Sequence, residues 1–142
     1  MGFARTGALL VGVVYLAAGL IGFAVTGVNG FITNGDDVLL GFDINGMHNV
    51  VHAGIGIYLI FVSQLGTAIT EGALIGGGLV YLLAAFLGFA DESNLNILSI
   101  DGELASDNFL HLVSGSAALA IGLISVASGA AAKRTRDPLE QG

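Results

Sequence analysis

Apolar residues run along this chain in four long blocks, at positions 7–26, 47–65, 72–90 and 108–132, and the charged positions fall between and outside them. No block holds Asp, Glu, Lys or Arg in its interior. Crossing the hydrocarbon of a bilayer takes about 20 mostly apolar residues, and each block is that long or nearly so. Backbone groups in lipid must be satisfied within the segment, so the blocks predict helices rather than open strands. The first block could be read as a signal peptide with Arg5 as its basic region. Its apolar run exceeds the roughly 7–15 residues of such regions, and it has a near copy later in the chain, so a retained helix is expected.

That copy is part of a repeat. The stretch Tyr15-Leu-Ala-Ala-Gly-Leu-Ile-Gly22-Phe23-Ala24 lines up with Tyr81-Leu-Leu-Ala-Ala-Phe-Leu-Gly88-Phe89-Ala90. Leu39-Leu-Gly-Phe-Asp43 then matches Ile97-Leu-Ser-Ile-Asp101, and His48-Asn49-Val-Val-His52 matches Asp107-Asn108-Phe-Leu-His111. Each unit reads as a helix, a long loop with an apolar patch ending in Asp, and a returning helix. The expectation is an all-α membrane protein: a four-transmembrane-helix bundle built from a tandem two-helix repeat. Two spans per unit make the repeats parallel, related by a pseudo-two-fold axis along the membrane normal. The chain forms a single transmembrane domain over 1–142, with repeat 1 at 1–66, repeat 2 at 67–132 and a cytoplasmic C-terminal tail at 133–142. Residues 66–71 form a tight inner connection, and the longer loops fold as short interfacial turns over the bundle mouth.

Charge sets the orientation. Arg5 precedes the first block and Lys133, Arg134 and Arg136 follow the fourth, with no Lys or Arg between. The positive-inside rule therefore places both termini in the cytoplasm of a multi-pass plasma-membrane protein. The outer loops carry Asp36, Asp37, Asp43, Asp91, Glu92, Asp101 and Glu103, and the inner one only Glu71. The net charge of −7 leaves no basic surface for nucleic acid, and the acidic excess with a single Lys resembles halophile proteomes. With no Cys, disulfides and thiolate sites are excluded.

Glycine is abundant, at 23 residues, and small residues let membrane helices approach closely. Gly22, Gly56, Gly88 and Gly115 recur in both repeats, and Gly72-x-x-x-Gly76 has the spacing of a helix-packing motif. Gly54, Gly56, Gly115 and Gly122, with Ser114 and Ser116, suggest a close approach of the second and fourth helices.

The candidate chemistry is a polar stripe. Asn49, His52 and Gly56 share one helix face, as do Asn108, His111 and Gly115. Lipid offers such side chains no partner, so both stripes should face the interior. The structural reading has Asn49 and Asn108 satisfying loop or helix-end groups. His52 and His111 then bond carbonyls or hydroxyls of the first and third helices, where Gly22 and Gly88 leave room. The chemical reading makes His48, His52, Asp107 and His111 a metal set, since i, i+4 pairs on facing helices are how bundles build metal sites. Tyr15 and Tyr81 sit deeper and need interior partners. No catalytic motif is present.

The chain resembles a family of small four-helix prokaryotic membrane proteins known as domain of unknown function 4383. The resemblance is carried by Val14-Tyr15-Leu with Gly19 and Gly22, by Asn45-Gly-Met-His48-Asn49-Val-Val-His52, and by Asp107-Asn108-Phe-Leu-His111. Gly46 stands where the resemblance leads one to expect Pro. The resemblance implies a four-span fold and a membrane location and supplies no activity. The expected function is a non-enzymatic, cofactor-free accessory or structural subunit. Its partners are the lipid bilayer and copies of itself or a larger membrane complex. The alternatives are a haem- or metal-binding redox protein using His52 and His111, and a small ion or solute conduit.

Overall fold

The computed structural model describes residues 1–28, 31–32, 37–90, 95–100, 102 and 104–136. Helix α1 is Phe3–Thr26, α2 Gly46–Leu65, α3 Thr67–Ala90 and α4 Ser106–Arg136. All four are long and apolar enough to cross a membrane. The single proline, Pro138, lies beyond them, so nothing in the helices removes a backbone donor. The helices outrun the apolar blocks: α3 begins at Thr67 and α4 continues to Arg136. The inner connection thus shrinks to Gly66, whose φ of 143° is open to glycine and disfavoured for other residues. Asp36, Asp91, Glu92, Asp101 and Glu103 lie outside the described residues.

Each long loop holds a small ordered element. After α1 comes a hairpin of β1, Val38–Leu39, and β2, Phe42–Asp43. Its two central residues have positive φ, Leu40 at 55° and Gly41 at 89°, the primed-turn geometry that matches strand twist. After α3 comes a single 3₁₀ turn, Asn96–Leu98. Ser99, which follows it, also has positive φ, at 61°.

The helices pack as two pairs, α1 on α2 and α3 on α4, with thinner contact between the pairs. Glycine sets the closeness within each pair. A Cβ at Gly12 would stand 2.9 Å from the Gly56 carbonyl and from the Ile60 nitrogen. At Gly78 the same intrusion meets the Leu119 nitrogen at 2.7 Å and the Gly115 carbonyl at 2.8 Å. Gly56 in turn abuts the backbone of Leu16, and Gly115 that of Leu82. The approach these glycines allow is therefore to α1 and α3, and not between α2 and α4 as the sequence suggested. Gly54, Gly72 and Gly76 have nothing within 4 Å of a would-be Cβ. The Gly72-x-x-x-Gly76 spacing marks no helix contact in the chain, because that face of α3 looks into a cavity.

At the end of the bundle away from the hairpin, Arg5 binds the last turn of α2, its Nε donating to the Ser63 carbonyl at 2.6 Å. A cation on the unsatisfied carbonyls of a helix C-terminus is favourable by dipole and by hydrogen bond. Thr70 Oγ1 lies across the Gly66 turn, 2.9 Å from the Val62 carbonyl and 2.8 Å from that of Gly66.

Substitution separates the two kinds of glycine. Gly56→Leu should destabilise the bundle by about 1–3 kcal/mol or more through overpacking, whereas Gly72→Ala should leave thermal unfolding in detergent unchanged or slightly raised.

Candidate functional site

The polar residues converge at the hairpin end. Asn45 caps α2, its Oδ1 accepting from the His48 backbone N–H at 2.8 Å, a geometry asparagine favours before a helix. Its Nδ2 donates to the Ile97 carbonyl of the 3₁₀ turn at 3.0 Å. The start of α2 is thereby tied to the loop of the other helix pair. Gly46, the first residue of α2, is where a Pro would be tolerated. Here the Phe31 ring fills the space of the absent side chain, with Cδ2 2.5 Å from a would-be Cβ.

From that cap, His48 points into the bundle. Its Nδ1 lies 2.9 Å from the Leu98 carbonyl, which can only accept, so Nδ1 carries the hydrogen. Its Nε2 lies 3.1 Å from His52 Nε2 and 3.7 Å from Asp107 Oδ1. In a neutral His48 the bare Nε2 accepts from His52. His48 and Asp107 are both buried, at 3% exposure.

Ring contacts continue the chain across all four helices. His52 packs on Tyr15 with centroids 5.0 Å apart, Tyr15 meets Tyr81 at 5.7 Å, and Tyr81 meets His111 at 5.1 Å. Tyr15 and Tyr81 meet edge-on, with their ring planes 76° apart.

The structure redistributes the roles read from sequence. Gly22 and Gly88 do not make room for the histidines: a Cβ on either would overlap the side-chain amide of Asn49 or Asn108. Asn49 Nδ2 then donates to Thr26 Oγ1 at 3.0 Å, and Asn108 Nδ2 to the Gly102 carbonyl at 3.2 Å. The asparagines lie deeper in the sequence than the caps and claim the glycine gaps first. His52 accordingly bonds His48 and not a carbonyl of α1. His111 lies edge-on to Tyr81, and its buried Nδ1 has no hydrogen-bond partner among the described residues.

Of the four residues read as a metal set, His48 lies 3.1 Å from His52 and 3.7 Å from Asp107, and His111 lies against Tyr81. Among the described residues no three His, Cys, Asp or Glu side chains are placed to hold an ion. His48 spends one nitrogen on Leu98 and the other on His52, and His111 is turned to Tyr81.

Two cavities flank this cluster. One of about 140 Å³ lies under the hairpin, between Leu39, Leu40, Phe42 and Ile44 above and His48, His52 and Asp107 below. The other, about 660 Å³, lies on the far side of the tyrosine pair between the helix pairs, and its walls are mostly apolar, with Tyr15, Tyr58, Tyr81 and Ser114 among them. Asn45, the hairpin and the Leu98 carbonyl were not singled out from sequence. Only Asn45 had a local signal, an N-cap residue just before an apolar block.

With this geometry in hand, the comparison with known proteins is direct. The sequence model of a family described as Domain of unknown function (DUF4383) matches residues 5–124. The chain belongs to that family. No curated protein matches it, and no solved structure does.

Removing the hub should be costly. His48→Ala strips the Leu98 carbonyl and His52 of their partners, and a buried group so orphaned costs about 1–3 kcal/mol. Thermal unfolding in detergent should fall accordingly, with Tyr58→Phe, at an exposed position, as the near-silent control.

Proposed function

We propose that the chain is a non-enzymatic integral membrane protein of the plasma membrane, crossing the bilayer four times with both termini in the cytoplasm. In this reading it serves as an accessory or structural subunit that packs with copies of itself or with larger membrane partners. One observation carries the membrane assignment: the distribution of polarity is inverted. Val14 of α1, Phe61 of α2, Val80 and Phe86 of α3 and Val113 of α4 are each at least 60% exposed. Asn49, Asn108, His48 and Asp107 meanwhile lie at 3% or less. In water that arrangement leaves an apolar coat unburied, whereas in lipid it places each group where it is cheapest.

The tandem repeat is supported by recurrence of the same contacts. Gly12, Leu16 and Gly22 meet Gly56, Ile60 and Asn49 in one pair as Gly78, Leu82 and Gly88 meet Gly115, Leu119 and Asn108 in the other. A pseudo-two-fold axis along the membrane normal would pass between Tyr15 and Tyr81. The subunit role rests on the apolar outer faces of all four helices. A haem ligated between His52 and His111 is disfavoured because each ring packs on a tyrosine. An ion path is disfavoured because the 660 Å³ cavity has no charged lining. The net charge of −7 speaks against nucleic acid as a partner.

Because the chain lacks Cys, single cysteines give a clean topology test. Leu40→Cys in the hairpin should be labelled only from outside the cell, and Thr67→Cys at the α2–α3 turn only from inside. Labelling of both from one side, or recovery of the protein in the soluble fraction, would overturn the membrane reading.

A further inference from the structure

The 660 Å³ cavity is built by the sequence rather than left over by packing. Its walls come from positions that match between the two halves, and the second half is hollowed at them. Leu10 and Val11 on α1 correspond to Gly76 and Gly77 on α3. Ile55, Tyr58 and Leu59 on α2 correspond to Ser114, Ala117 and Ala118 on α4. All ten line the cavity, and the glycines face it with nothing within 4 Å of a Cβ. The side chains of the first half would fill this space if they were repeated in the second. The space is open along one side, where Leu10, Val14, Tyr58 and Val80 are more than half exposed, so an apolar molecule can enter it from the bilayer.

The polar groups on the lining define what fits. Tyr15 and Tyr81 close one end together. Each phenol carries a hydroxyl hydrogen that can donate. Ser114 is already committed, with its Oγ 2.6 Å from the Leu110 carbonyl. Beside Tyr81, the buried Nδ1 of His111 also has no partner among the described residues. No charged side chain lines the cavity. The tyrosine pair lies at mid-helix, Tyr15 about 17 Å from either end of α1 at 1.5 Å per residue. A phospholipid cannot bring its headgroup to that depth, and a fatty-acid carboxylate would find no cation there. An uncharged carbonyl head on a hydrocarbon tail meets each of these conditions, and the volume is in the usual range of roughly 300–1,000 Å³ for small-molecule sites.

We propose that this cavity binds a neutral quinone-class lipophile, its carbonyl accepting a hydrogen bond from the Tyr15–Tyr81 pair and its tail lying along Gly76, Gly77, Ala117 and Ala118. The proposal rests on the four-span reading above and fails separately from it. Labelling tests the topology, and binding is measured on protein reconstituted in vesicles after the topology is established.

The chain has no Trp and three Tyr, all of which line this cavity; Tyr58 is half exposed, so the tyrosine fluorescence lifetime is read in a Tyr58→Phe background, where it reports on Tyr15 and Tyr81. Titration with decyl-benzoquinone should shorten the lifetime saturably, at one molecule per chain. Gly77→Val with Ala118→Leu restores the bulk of the first half and should abolish saturation while thermal stability holds or rises. If that double variant does not fold, Ala118→Leu alone carries the same expectation. Tyr81→Phe should weaken the quinone about tenfold, the worth of a lost hydrogen bond, and leave binding of decylbenzene, which lacks the carbonyl, unchanged. A linear, non-saturating response in the unfilled Tyr58→Phe protein would overturn the proposal. So would equal quenching in the filled variant, or quenching by a tail-brominated phosphatidylcholine that the quinone does not displace.

Discussion

An asparagine amide inside an apolar bundle must be given both space and partners, and in each helix pair a glycine on the facing helix gives the space. Asn49 lies over Gly22 and Asn108 over Gly88, so closely that a single added carbon on either glycine would overlap the amide. Much of the rest follows from these two contacts. They fix the depth at which α2 sits on α1 and α4 on α3. From there the smaller glycines, Gly12 against Gly56 and Gly78 against Gly115, come into register below them. The amides also reach toward the loops, Asn49 to Thr26 and Asn108 to Gly102. Helix packing and loop placement are thereby coupled at one end of the molecule. Interhelical hydrogen bonds in membranes are worth only about 0.6 kcal/mol on average. The steric half of the contact, not the polar half, is what specifies the register.

The histidine–tyrosine chain depends on that register. His52 lies one turn beyond Asn49 and His111 one turn beyond Asn108, so seating the asparagines delivers both imidazoles to the tyrosines of α1 and α3. The asymmetry between the halves then matters. Where the first half has His48, the second has Asp107, and the two come within 3.7 Å. Where the first half has Arg5 on the α2 carbonyls, the second has Glu71, which accepts from Ser125 at 2.7 Å. Where the first half is bulky around the tyrosines, the second is hollow. The tyrosine pair consequently separates a small compartment with histidine and aspartate in its wall from a large, mostly apolar one.

Much of this was legible in the sequence. The uninterrupted apolar blocks announce the four helices, and the i, i+3 spacing of Asn49 with His52 and Asn108 with His111 announces which side chains turn inward. Which glycine serves which polar residue was not legible, because a side-chain amide and an imidazole compete for the same gap and only their reach decides. Gly72 and Gly76 show the limit of a spacing motif. Whether small residues four apart meet a neighbour or face a void depends on what the opposite helices carry, and Ala117 and Ala118 carry too little to fill it. The hairpin was hidden because its turn relies on Leu40 in a conformation that leucine rarely adopts.

The central claim, that glycine and asparagine act as one steric unit, is tested most directly by a double-mutant cycle on Gly88 and Asn108 read by unfolding in detergent. Gly88→Ala should destabilise strongly while Asn108 is present, because the new methyl has no space. In an Asn108→Ala background, where the amide is gone, the same change should cost little. The account predicts a coupling of about 1–3 kcal/mol between the two sites. Simple additivity, with Gly88→Ala costing the same in both backgrounds, would contradict it.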